Sequence, residues 1–130
     1  MTDEELLLAA RAARERAYAP DSRFTVGAAL LTGSGRVFTG CNVENISFGM
    51  TICAERAAVF AAISAGEREF TRIGIVSDSK TPVSPCGACR QVLAEFSGGM
   101  EVLSANLEGE TYRALLSELL PRGSEGILGT

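Results

Sequence analysis

Ile52-Cys53-Ala54-Glu55-Arg56-Ala57-Ala58-Val59-Phe60-Ala61-Ala62-Ile63-Ser64-Ala65 reads as a helix whose charged residues are the adjacent pair Glu55 and Arg56. Gly66 ends it, as glycine commonly does just past a helix. A helix that is apolar nearly all round belongs in an interior or against another subunit. Just beyond it, Arg72-Ile73-Gly74-Ile75-Val76-Ser77 reads as a short buried strand. Cys86 to Phe96 forms a third helix, stopped by Ser97-Gly98-Gly99, and Glu101 to Asn106 another strand. A short helix follows from Leu115 to Leu120, before Pro121. Upstream, Phe24 to Thr32 is apolar and β-compatible. The turn Gly33-Ser34-Gly35 leads into a second strand, Arg36 to Thr39, so the pair reads as a hairpin. A loop runs from Gly40 to about Thr51. At the start, Thr2-Asp3-Glu4-Glu5 fits a capping box, and Leu6, Leu7, Ala10, Ala13 and Ala17 continue at helical spacing. Pro20 predicts a stop near Tyr18. The order α-β-β-α-β-α-β predicts an α/β fold with helices on both faces of one sheet.

The chain has 130 residues, 46% hydrophobic and 22% charged, which suits one domain over 1–130 with a buried core. Its net charge of −4 argues against a nucleic-acid partner. No apolar run approaches the ~20 residues that span a bilayer. The first residues are acidic where a secretory signal is basic, so the expected location is cytoplasmic. Four cysteines in a reducing compartment point to metal or catalysis rather than disulfides. The absence of histidine excludes His-based triads and any zinc site with a histidine ligand.

The sharpest chemical signal is Pro85-Cys86-Gly87-Ala88-Cys89 at a helix start. Cys86 and Cys89 share one helical face, and the helix dipole favours their thiolate forms. Alone, this spacing fits a redox pair, half a structural zinc site, or two buried cysteines. Cys53-Ala54-Glu55, at the start of another helix, offers a third thiolate. Three protein ligands with an open position are the arrangement of catalytic zinc. Glu55, two residues from Cys53, could take a proton from water activated there and return it to a substrate.

The pattern Cys-x-Glu … Pro-Cys-x-x-Cys is the zinc deaminase signature in its three-cysteine form. With it the chain closely resembles the small, homotetrameric cytidine deaminases. The likeness runs in order through Ala19-Pro20, Phe24-Thr25-Val26-Gly27-Ala28-Ala29, Gly40-Cys41-Asn42-Val43-Glu44-Asn45, Cys53-Ala54-Glu55-Arg56, Pro85-Cys86-Gly87-Ala88-Cys89-Arg90-Gln91 and Leu119-Leu120-Pro121. It implies an α/β/α layered sandwich with a central mixed sheet. It also implies one zinc ion per subunit on Cys53, Cys86 and Cys89, with Glu55 as proton shuttle in hydrolysis at C4 of the pyrimidine. Asn42 and Glu44 would bond the ribose hydroxyls, Phe24 would line the base pocket, and the backbone of Ala54 and Ser84 would read the base edge. The implied reaction is deamination of cytidine and 2′-deoxycytidine in pyrimidine salvage, by a homotetramer.

Charge arithmetic adds that three thiolates on Zn²⁺ leave a net negative site, so a cation belongs beside it. Arg56 is the first candidate to donate to the ligand sulfurs. Arg90 is the second, with an exposed helix position as its alternative. Cys41 reads as a buried thiol near the pocket; replacing Cys53 as a ligand is the alternative. One departure stands out. Relatives commonly carry an aromatic shortly after Leu-Leu-Pro that reaches a neighbouring subunit, and residues 122–128 have none. Ile127 or Leu128 takes that place, or the tail stays disordered. Two other readings remain: a deaminase of the blasticidin S type, and a non-catalytic zinc module using Cys41 as a fourth ligand.

Overall fold

The computed structural model describes residues 1–129. Thr2 caps the first helix, α1 (Asp3–Arg14). Its hydroxyl accepts from the Glu5 amide at 3.1 Å, and the Glu5 carboxylate accepts from the Thr2 amide at 3.3 Å. The helix ends at Arg14, short of the expected Tyr18, because the chain there is drawn into extended pairing. Tyr18 bridges Val43, and its amide donates to the Asn42 carbonyl at 2.9 Å. Then follow β1 (Val26–Thr32), β2 (Val37–Cys41), α2 (Ala54–Ser64), β3 (Phe70–Ser77), α3 (Gly87–Phe96), β4 (Glu101–Asn106), β5 (Thr111–Leu115) and α4 (Leu116–Leu119). A short 3₁₀ turn at Phe48–Met50 interrupts the loop after β2.

The strands form one mixed sheet in the order β2-β1-β3-β4-β5. Only β3 and β4 run parallel; the other neighbours are antiparallel. The fifth strand was not expected. Thr111–Leu115 is an edge strand that buries only Ala114, so its side chains carry little apolar alternation to read. Every residue of β1 is buried, and its alternating side chains feed two cores. Ala29 and Leu31 join Leu6 and Ala10 of α1 with Val76 and Leu103. Ala28 and Leu30 join Ala58, Val59 and Ala62 of α2 and Leu93 of α3, with Ile73, Ile75 and Val102. The result is the expected three-layer α/β/α arrangement. α2 is the innermost helix of its layer, yet Phe60 stays about half exposed on its outer side. Among the described residues, no helix is long and apolar enough to cross a membrane.

Two glycines allow helices to lie directly on strands. A Cβ at Gly27 would sit 1.9 Å from the Ala10 carbonyl oxygen of α1. One at Gly40 would sit 2.5 Å from both the Ala54 carbonyl oxygen and the Ala58 amide of α2. The second approach fixes the height of the first turn of α2 over the hairpin. Gly40→Ala should therefore cost about 3 kcal/mol, the upper end for overpacking, because rigid backbone has to move. Thermal melts should show Tm lowered by roughly 10 °C. Gly49→Ala, which meets open space, should melt with the wild type. Equal melting of the Gly40 variant would mean that α2 is free to shift.

Candidate metal and substrate site

The connection β3-α3-β4 is a crossover between parallel strands, so α3 starts near the carboxyl end of β3. α2 leads antiparallel into β3 through a short link and starts at that same edge. Cys53 stands at the N-cap of α2, Cys86 at the N-cap of α3, and Cys89 in the first turn of α3. Their sulfur atoms all lie within 4.8 Å of one another, with Cys53 to Cys86 at 3.8 Å and Cys86 to Cys89 at 3.4 Å. Tetrahedral zinc at about 2.3 Å from each sulfur sets them about 3.8 Å apart. The donor set and its spacing thus fit zinc. Among the described residues this is the one such cluster of potential ligands, and Cys41 is outside it. A closed four-cysteine site is thereby excluded.

The electrostatics of the thiols are shared. The Cys89 thiol donates to Cys53 and, against the pull of burial, helps bring Cys53 down to about 5; Arg56 assists. Cys89 is pushed up by that same hydrogen bond and by burial. Arg56, in the first turn of α2, donates from Nη2 to Cys53 Sγ at 3.4 Å, and this bond holds its guanidinium charge more firmly. The expected cation beside the sulfurs is therefore Arg56.

Arg90 is turned elsewhere. Its Nε donates to the Pro85 carbonyl at 2.7 Å, Nη1 to the Leu119 carbonyl at 2.8 Å and Nη2 to Ser84 Oγ at 2.8 Å. It is neither a sulfur donor nor a free surface residue. It fastens the turn before Cys86 to the end of α4. Sequence reading missed this, because Leu119 is far along the chain and nothing local announces the pairing.

A cavity of about 270 Å³ opens beside the thiols. Phe24, Val26, Asn42, Cys53, Ala54, Glu55, Val83, Ser84 and Cys86 contribute to its wall. Five of the expected site residues, Phe24, Asn42, Ala54, Glu55 and Ser84, are thus gathered there with Cys53 and Cys86, while Cys89, Arg56 and Glu44 are not in this wall. Glu55 is buried, and burial pushes its carboxyl up to about 7 while the Cys53 thiolate adds repulsion. A carboxyl poised near neutrality can both accept and give a proton.

Asn42 and Glu44 have structural partners that the sequence did not reveal. Asn42 Oδ1 accepts from the Val26 amide at 2.8 Å, and Nδ2 donates to the Phe24 carbonyl at 2.8 Å. Glu44 does not line the cavity. It accepts from the Asp21 amide at 2.9 Å, the Ser22 amide at 3.2 Å and the Ser22 hydroxyl, which together hold its carboxyl below the usual range, the hydroxyl most. Among the described residues, none of the tail enters this cavity wall; Leu128 is almost fully exposed.

Metal analysis of single-cysteine variants tests the cluster. Cys53→Ser, Cys86→Ser and Cys89→Ser should each lose most bound zinc, and Cys41→Ser should retain one ion per chain. Zinc retained by Cys53→Ser but lost from Cys41→Ser would reverse the assignment.

Residues 1–104 match the family described as the cytidine and deoxycytidylate deaminase zinc-binding region. A cytidine deaminase of Sporosarcina psychrophila is 50% identical over 122 residues, covering 93% of this chain and 90% of that protein. One of Halalkalibacterium halodurans is 51% identical over 122 residues, covering 93% and 92%. A crystal structure of cytidine deaminase from Burkholderia pseudomallei superposes with a TM-score of 0.91 at 51% identity, covering 93% of this chain and 98% of that one.

Proposed function

The chain belongs to the cytidine and deoxycytidylate deaminase family, is an enzyme of that hydrolytic class and uses zinc, and we propose that it converts cytidine and 2′-deoxycytidine with water to uridine and 2′-deoxyuridine, releasing ammonia. The observation that carries this reading is the meeting of Cys53, Cys86 and Cys89 beside a nucleoside-sized cavity with Glu55 buried in its wall. Zinc held by Cys53, Cys86 and Cys89 would supply activation of water for attack on the ring.

The remaining work falls to side chains. Glu55 accepts the proton of the attacking water and passes it to the ring nitrogen next to C4. It then takes the second proton from the water oxygen, now bonded to C4, and hands it to the amino group, so that the C4–N bond breaks, C4=O forms and ammonia leaves. Burial assists this by keeping the carboxyl near neutrality and the water shielded. Arg56 offsets the negative charge of the thiolates through Cys53. Phe24 faces the base, and the backbone at Ala54 and Ser84 meets its edge; Arg90 keeps Ser84 at that height. Asn42 and Glu44 read the sugar. Each retains hydrogen-bonding capacity after its structural bonds: one N–H and one lone pair on Asn42, and a lone pair on Glu44 Oε2.

The whole span 1–130 is read as one catalytic domain working as a cytoplasmic homotetramer in pyrimidine salvage. Support for self-association comes from large apolar side chains at the surface: Ile46 is 96% exposed, Phe48 76% and Met50 64%. Apolar surface of this kind marks an interaction face. Sedimentation should give four chains per particle, and a fully active monomer would refute the assembly.

An ultraviolet assay should find turnover of cytidine and 2′-deoxycytidine, with little on cytosine, CMP or adenosine. A 5′-phosphate would bring two negative charges toward a sugar site already holding Glu44. Glu55→Gln should keep zinc and fold but lose at least ~10⁴-fold in kcat, the upper end for general acid–base catalysis, because it makes both proton transfers. Near-normal turnover in that variant would remove Glu55 from the mechanism. Glu44→Ala should lower kcat/KM for cytidine by up to several hundredfold, on the order of 3 kcal/mol, and narrow the gap to cytosine. An unchanged cytidine-to-cytosine ratio would favour a deaminase of the blasticidin S type.

A further inference from the structure

The segment from Asp21 to Phe24 leads into the cavity wall at Phe24 and is held by side chains rather than by the sheet. Arg23 takes a left-handed backbone, φ 58°, which a non-glycine residue adopts only where its surroundings impose it. Its amide donates back to the Ala19 carbonyl at 3.0 Å, closing a turn. Ser22 stands at the centre of what imposes that shape. Its hydroxyl donates to Glu44 Oε2 and at the same time accepts from the Phe24 amide at 3.0 Å. The amides of Asp21 and Ser22 both donate to Glu44 Oε1. Asn42 Nδ2 in turn holds the Phe24 carbonyl at 2.8 Å.

One hydroxyl therefore joins the carboxylate assigned to the sugar with the peptide that carries the aromatic assigned to the base. The geometry points to Ser22 as a positioning residue: through Glu44 and the Phe24 amide it locks the sugar-reading carboxylate and the base-facing ring into one unit before substrate arrives. This inference rests on the cytidine reading of the site. Ser22 itself need not touch substrate. Its hydroxyl is the group whose two bonds run in series from carboxylate to amide, so a change at one end is felt at the other. It also restricts the carboxylate, which already accepts three hydrogen bonds, so that the remaining acceptor direction on Oε2 is fixed. A pre-set acceptor loses less freedom on binding than a mobile one, and the gain appears as affinity. Neither of its bonds reaches Glu55, so the proton transfers are left as they are.

The experiment measures kcat and KM for cytidine with the wild type, Ser22→Ala, Ser22→Thr, Glu44→Ala and the double variant Ser22→Ala/Glu44→Ala, with zinc content and Tm for each. Ser22→Ala should raise KM about tenfold and leave kcat within about threefold, the signature of lost binding without lost chemistry. Ser22→Thr, which keeps the hydroxyl, should restore KM to within about threefold of the wild type. In the Glu44→Ala background, the Ser22→Ala change should add less than about twofold, because its route to the sugar is gone. Zinc content should not move, and Tm should fall by only a few degrees, as expected for a handful of lost rim hydrogen bonds. Equal penalties in the two backgrounds, or a fall in kcat at constant KM, would overturn the proposal while leaving the cytidine reading intact. So would failure of Ser22→Thr to restore KM. A wild type that does not deaminate cytidine would overturn both.

Discussion

The parallel pairing of β3 with β4 is the constraint on which the rest depends. Parallel neighbours cannot be joined by a tight turn, so the chain must cross over, and α3 is that crossover. Its start is thereby placed near the carboxyl end of β3. α2 enters β3 from the same layer and begins at the same edge. Two helix N-termini then face each other across a few ångströms. Each brings unpaired amides and partial positive charge. A cluster of sulfur anions needs that environment, and both N-caps are cysteines. The topology thus creates the electrostatic site before any ligand residue is specified. Gly40 then sets how closely α2 lies on the hairpin beneath it.

Gathering three thiols and a carboxyl in so small a space is unfavourable without compensation. The thiols meet this by unlike electrostatics: the neighbouring thiol and Arg56 bring Cys53 down, while the same neighbour and burial push Cys89 up. Binding a divalent ion requires the thiol protons to leave, so affinity rises as acidity falls. Arg56 stands as a fixed cation on the Cys53 side. Glu55 sits two residues from Cys53 and is buried, and both features disfavour its charge. The thiolates need positive surroundings and the carboxyl needs apolar ones. One turn of α2 provides both, because Arg56 and Glu55 leave the helix in different directions.

Much of this was legible because it is local. The Thr2 to Glu5 capping box, the strand Glu101–Asn106 and the Cys86 to Cys89 spacing each lie within a few residues. Their periodicity and cap chemistry are properties of the segment alone. What escaped reading is long-range. Tyr18 leaves the helical pattern because Val43 pairs with it. β5 presents too little buried surface to announce itself. Arg90 carries the same local signal as a solvated helix arginine, and only the folded chain brings Pro85, Ser84 and Leu119 to its three nitrogens. The resemblance pointed Asn42 and Glu44 toward a sugar, but not to the partners that already occupy them.

Those partners bear on how selectivity is built. A group devoted wholly to substrate is free to rotate when the site is empty and must be ordered on binding. Asn42 and Glu44 are ordered already, since the peptides of residues 21–26 bind them. In return, those side chains hold a segment whose left-handed residue would otherwise relax. The arrangement is reciprocal: the loop orients the polar groups, and the polar groups hold the loop. In the proposed reading such a site would be selective by what it leaves unpaired. Its remaining donor and acceptor directions are few, so a ligand that lacks matching hydroxyls would leave them unsatisfied rather than find others. The cost is that polar residues at this rim cannot be exchanged independently, because each substitution alters the wall as well as the contact.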